Sequence, residues 1–178
     1  MNKFFKVASV AIIALSANTI FAQSTNLHVN VQDIYSIVVT DTDVNIDMNQ
    51  PGFFVSGNSS AEQSNHIEVS ATGEYQVTVA AALPLTGATS GETIDQGTIV
   101  VTANDGTYLG ASGTDSGSTA SFVPATLSAG GAPLVTGSAG DLRGFDVTYS
   151  IPAAKAPAYL NVAEDVYTTT VTYSIAPN

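Results

Sequence analysis

The 178-residue chain contains no cysteine and no tryptophan, and only four of its residues are Lys or Arg. Without cysteine there are no disulfides, no thiolate metal ligands, no thiol nucleophile and no cysteine for lipid attachment. The scarcity of bases excludes another group of partners. Nucleic acids and anionic membrane surfaces are bound by clustered Lys and Arg that displace counterions. Here 15 acidic residues give a formal net charge of −11. The chain also lacks a second long apolar run after its first residues, which points away from membrane insertion of the processed protein.

What is present begins with an export pattern. Lys3 and Lys6 precede an apolar stretch from Val7 to Leu15, followed by a more polar segment ending in Ala22. This order of charge, apolar run and small residue predicts a cleavable secretory signal peptide over residues 1–22. The apolar run falls short of the roughly 20 residues needed to span a bilayer. Cleavage would leave Arg143 and Lys155 as the only strong bases against all 15 acids. It would also make Gln23 a new N-terminus. Residues 23–178 are then expected to form one domain, secreted or at the cell surface, and of bacterial type.

Apolar residues recur with period two through most of this region, the mark of strands with one buried face. Leu27, Val29, Val31, Tyr35, Ile37 and Val39 share one face of a long extended segment, and Val44, Ile46 and Met48 form a second run. Ile67, Val69 and Ala71 enter Thr72-Gly73, and Tyr75, Val77, Val79 and Ala81 leave it, which reads as a hairpin. A second hairpin is expected at Asn104-Asp105-Gly106, between Val101 and Tyr108. Residues 110–140, rich in Gly, Ser, Thr and Ala, predict short irregular strands and loops. Phe145, Val147, Tyr149 and Ile151 mark a further strand. Tyr159, Leu160 and Val162 suggest a short one, and Tyr167, Val171, Tyr173 and Ile175 mark the last. No window after the signal segment has helical periodicity. The expected fold is all-β, an antiparallel Ig-like or pilin-like β-sandwich.

Two stretches carry a family likeness. Glu68-Val69-Ser70-Ala71-Thr72-Gly73-Glu74-Tyr75-Gln76-Val77-Thr78-Val79 and Val166-Tyr167-Thr168-Thr169-Thr170-Val171-Thr172-Tyr173-Ser174-Ile175 resemble bacterial surface β-sandwiches of the WxL-like, spore-coat-U-like and pilin-like kinds. The resemblance implies a secreted wall-associated protein or a fibre subunit. The chain departs from these groups in having neither the Trp-x-Leu motif nor the cysteine pair of chaperone–usher pilins.

Candidate sites are few. Asp41, Asp43, Asn45 and Asp47 alternate along one face of an extended run, an oxygen-rich pattern that could suit Ca²⁺. The EF-hand pattern fails, because Ile46 and Gly52 stand where it needs Gly and Glu. The plain alternative is a solvated acidic face that blunts a sheet edge. His28 and His66 have no zinc-ligand spacing to another His, and a structural or solvent-facing role is expected rather than catalysis. No Gly-x-Ser-x-Gly elbow and no phosphate-binding loop occurs, so the expectation is a protein without enzymatic activity and without a resident cofactor. The Thr-rich final strand could present an ice- or sugar-binding face, though β-propensity alone accounts for it.

The segment Asn26 to Thr40 has the most mechanistic content. Leu27, Val29 and Val31 form an alternating tail just after the expected cleavage point. Such a tail can serve as an assembly strand that adds to a neighbour's sheet, or as the first strand of its own. The functional expectation is an exported structural or adhesive surface protein, a fibre- or coat-type subunit assembling by strand addition through self-association or with other surface proteins. The alternative is a monomeric carbohydrate- or calcium-binding module.

Overall fold

Alternation along the sequence becomes alternation of burial. The computed structural model describes residues 24–110 and 117–178; the expected signal segment, 1–22, lies outside them. The chain divides into two units, Met1–Val31 and Gln32–Asn178. In the first, the described residues 24–31 form neither helix nor strand. All strands of the described residues belong to the second.

The larger sheet runs in the order β1 (Tyr35–Val39), β3 (Gln63–Ala71), β11 (Asp141–Pro152), β7 (Val100–Tyr108) and β9 (Ala125–Thr126), with β2 (Gly57–Ser59) also paired to β11. The second is β13 (Val171–Pro177), β4 (Tyr75–Ala81), β10 (Ala132–Gly137) and β8 (Ala120–Phe122). A small third sheet joins β12 (Tyr167–Thr168), β5 (Leu85–Gly87) and β6 (Thr93–Ile94). Every pairing is antiparallel. The fold is the expected all-β, antiparallel sandwich. Its core interleaves Ile67 and Val69 of β3 and Phe145 and Val147 of β11 with Val77 and Val79 of β4, all fully buried. Outward residues between them, such as Gln76, Thr78, Thr148 and Ser150, are partly exposed.

Several local expectations are corrected. Thr72-Gly73 is not a hairpin turn: β3 and β4 lie in different sheets, and the link carries the chain from one layer to the other. Asn104-Asp105-Gly106 does not turn either. It lies inside β7, which continues to Tyr108 with a register shift against β11 between Arg143 and Phe145. The long extended segment is a strand only over Tyr35–Val39. Tyr159 and Leu160 end a 3₁₀ turn, Ala156–Leu160, that Pro157 helps to start, rather than opening a strand. One short helix, α1 (Phe53–Ser56), follows Pro51-Gly52. The expected short strands and loops do occupy the Gly- and Ser-rich stretch, as β8 and β9.

The missed hairpin has a tertiary cause. A register shift between β3 and β11 places Asn65 at φ 50°, in the left-handed region that Asn tolerates. Its side chain lies where methyl groups on Gly106 or Gly144 would overlap Oδ1. Oδ1 accepts from Thr107 N at 2.8 Å, and Asn65 N donates to Asp146 Oδ1 at 2.7 Å. The two glycines let β7 and β11 pass beside this side chain without turning. The irregularity also buries the successive residues His66 and Ile67, which strict alternation forbids. Gly144→Ala is therefore expected to cost about 1–3 kcal/mol through crowding, measured by urea denaturation; an unchanged midpoint would show that Asn65 can move aside freely.

Candidate functional site

On one side of the sandwich β1 and β13, the edge strands of the two sheets, come close to each other. The ladder parity along β13 follows from its last bond. Asn178 N donates to Glu74 O at 3.1 Å, so the even-numbered residues of β13 bond to β4. The main-chain groups of Val171, Tyr173 and Ile175 consequently point away from β4, beyond the sheet's edge. Their side chains face inward yet stay only half-buried. Pro177, also of this parity, offers no N–H and ends the edge.

The tail residues expected to serve as an assembly strand, Leu27, Val29 and Val31, are 85%, 75% and 82% exposed. They belong to no strand ladder among the described residues. Single exposed apolar residues are ordinary, but three at alternate positions form a stripe whose burial is outstanding.

Asp41, Asp43, Asn45 and Asp47 are exposed, while Val44, Ile46 and Met48 between and beyond them pack on the core. The structure does not bring the four oxygen-bearing side chains together. Among the described residues no group of three or more His, Asp or Glu side chains is placed to hold a metal ion. Asp41 instead approaches His66, its Oδ2 lying 3.7 Å from Nδ1. Asp47 holds the segment down through its carbonyl, which accepts from Asn58 Nδ2 at 2.6 Å.

His66 is the inner end of a polar chain that crosses the sandwich. Its Nε2 is 2.9 Å from the Tyr149 hydroxyl, which is 2.5 Å from the Tyr173 hydroxyl. Both tyrosine rings meet the imidazole edge to face. The carboxylate facing Nδ1 favours the tautomer protonated there, so that Nε2 accepts from Tyr149 and Tyr149 from Tyr173. Nδ1 itself is buried and lacks a hydrogen-bond partner. Burial lowers the His66 pKa from its ordinary 6.5, and Asp41 only partly opposes this. Burial likewise raises the pKa values of Tyr149 and Tyr173, so all three groups are neutral near pH 7. The chain works as a latch: β13, at the edge of one sheet, is tied to β3 and β11 of the other. The sequence pointed to a structural or solvent-facing role for His66, and burial decides for the structural one; its partners were missed, and the signal for them is the matching inward parity of Tyr149 and Tyr173 with their apolar neighbours.

A second buried network lies at the other end of β11. Asp141 and Arg143 occupy inward positions, in phase with Phe145 and Val147, and both are buried. Asp141 Oδ1 accepts from Arg143 Nε at 3.1 Å and from Ser118 Oγ at 2.8 Å, and Oδ2 accepts from Tyr75 O–H at 2.6 Å. Arg143 also donates to Asp105 Oδ1 at 2.6 Å and to Ser118 O at 2.7 Å. Burial and the bond to Asp141 raise the Tyr75 pKa, keeping its hydroxyl a donor. These oxygens and nitrogens are consumed by one another, an arrangement that joins β4, β7 and β11.

Elsewhere, Asp165 accepts from Ser90 N at 2.7 Å and Thr89 N at 2.8 Å, and these bonds hold its carboxyl down to about 2. It fixes the 88–90 loop. A shallow groove of about 340 Å³, lined by Leu83, Pro84, Thr168, Thr169 and Thr170, lies beside the Thr-rich strand. Its lining has no aromatic ring on which a sugar could stack.

Two predictions follow from the buried groups. Because folding lowers the His66 pKa, the unfolded chain binds the proton more readily. The stability this residue supplies is full above pH 6.5 and falls as pH drops below it. The melting temperature should decline from about pH 7.5 to about pH 5, and His66→Phe should flatten that decline; equal slopes would exclude His66 as the titrating group. Arg143→Met should cost about 3–5 kcal/mol by stranding the buried Asp141 carboxylate, while Arg143→Met with Asp141→Leu should recover part of the loss in the same denaturation assay. No family model matches this chain, and no curated protein or solved structure matches it.

Proposed function

We propose that the chain is an exported structural subunit of a cell-surface fibre or coat, and that it assembles by adding its N-terminal segment to the sheet of a neighbouring copy. The observation that carries this reading is the state of Leu27, Val29 and Val31: an alternating apolar stripe, strongly exposed and outside every ladder of its own domain. An extended segment of this kind gains affinity from main-chain hydrogen bonds and specificity from alternate side chains. Export rests on the charged and apolar pattern of residues 1–22. In this reading the protein performs no chemistry, and its two buried polar networks serve rigidity.

Composition supports the same reading. A chain with 15 acidic residues and four basic ones repels its own copies at long range. Assembly then needs contact surfaces free of charge, and residues 24–32 contain no Asp, Glu, Lys or Arg.

The test is deletion of Asn26 to Val31 from the processed protein. Oligomers or fibres seen by sedimentation and electron microscopy should disappear. The melting temperature should stay within about two degrees of the dissociated parent's, since surface changes outside packed elements fall within about 0.5 kcal/mol. Assembly that persists after the deletion refutes the tail's role.

A further inference from the structure

We infer that the acceptor for this tail is the outer edge of β13, so that Leu27, Val29 and Val31 of one copy complete the second sheet of the next beside Val171, Tyr173 and Ile175. This rests on the strand-addition reading above and adds the surface that receives the strand.

Four observations select β13. The first is length. β13 has seven residues in unbroken register with β4, an edge of about 23 Å, and residues 24–31 extend over about 26 Å. The other outer edges are shorter: β8 has three residues, β9 two and β6 two. β1 has five, and its own chain continues directly into the tail. The second is hydrogen bonding. The main-chain groups of Val171, Tyr173 and Ile175 point away from β4, and although β1 packs nearby it pairs with β3, so no bond from the described residues reaches them. The third is the pleat. Three apolar side chains at alternate positions of the edge remain half-buried, and the tail carries three apolar side chains at the same spacing. One more strand would place both triplets on one face and finish their burial.

The fourth is charge. Residues 166–178, like residues 24–32, contain no Asp, Glu, Lys or Arg. Two neutral segments can meet in a chain whose surface is otherwise acidic. The β1 edge, by contrast, is flanked by Asp33, Asp41 and Asp43. The Asp41–His66–Tyr149–Tyr173 chain holds the edge in place before the strand arrives, so less order remains to be imposed on docking.

Introduced cysteines test the pairing without background, because the chain has none. With Val29 opposite Tyr173, His28 faces Ser174 in an antiparallel addition and Thr172 in a parallel one. The processed protein carrying His28→Cys is mixed with a differently tagged preparation carrying Ser174→Cys, Thr172→Cys or, as a control on the β8 edge, Ser121→Cys. All four positions are exposed, so the substitutions spare the core. Oxidation should cross-link the tail to one of the two β13 positions and not to Ser121→Cys, and adding excess tail peptide 24–33 should abolish the product. Oligomers that need the tail but cross-link only through Ser121→Cys, or through none of the three, overturn β13 as acceptor and leave strand addition standing. Oligomers that survive deletion of Asn26 to Val31 overturn both.

Discussion

The larger sheet depends on one strand serving two neighbours along most of its length. β11 bonds on one side to β3 and β2, between Asp141 and Pro152, and on the other to β7, between Arg143 and Ser150. Its inward side chains change character along the way: Asp141 and Arg143, then Phe145 and Val147, then Tyr149 and Ile151. The apolar middle supplies the contact with the second sheet. The polar ends supply direction-specific bonds, to Tyr75 at one end and to His66 and Tyr173 at the other. Apolar packing alone tolerates sliding of two sheets, whereas hydrogen-bonded groups buried at both ends admit one alignment. A chain without disulfides obtains a fixed pose in this way.

The core of this fold was legible in the sequence, and its connectivity was not. Period-two alternation identified the buried faces of β3, β4 and β11, because a half-buried strand imposes that pattern whatever its partner. Partner choice leaves no such trace. Thr72-Gly73 between alternating runs looks the same whether the chain doubles back within a sheet or crosses to the opposite one. Asn104-Asp105-Gly106 has turn chemistry, yet it stays extended because Asn65, distant in sequence, fills the space that two glycines leave open.

The polar networks were half legible. Asp141 and Arg143 fall in phase with Phe145 and Val147, so the pattern placed them inside, but charged residues are rarely buried unless paired and the partners lie on other strands. The acidic run from Asp41 to Asp47 was legible as an alternating segment with Val44, Ile46 and Met48 inward. Its chemistry was not, since the approach of Asp41 to His66 depends on the irregularity at Asn65. The tail shows the same limit most plainly: Leu27, Val29 and Val31 carry an alternation that suits a strand of this domain or of another.

The crossing at Thr72-Gly73 has a kinetic consequence. Because β4 leaves the layer of β3, it has no neighbour close by in sequence and must wait for β10 and β13, which follow it at a great distance along the chain. The entropy of closing those loops is spent before any pairing offsets it. Folding of such a topology is slow, and the polypeptide passes through an interval in which its strands are made but unpaired. During that interval its apolar strand faces stand uncovered, the condition in which such chains associate wrongly.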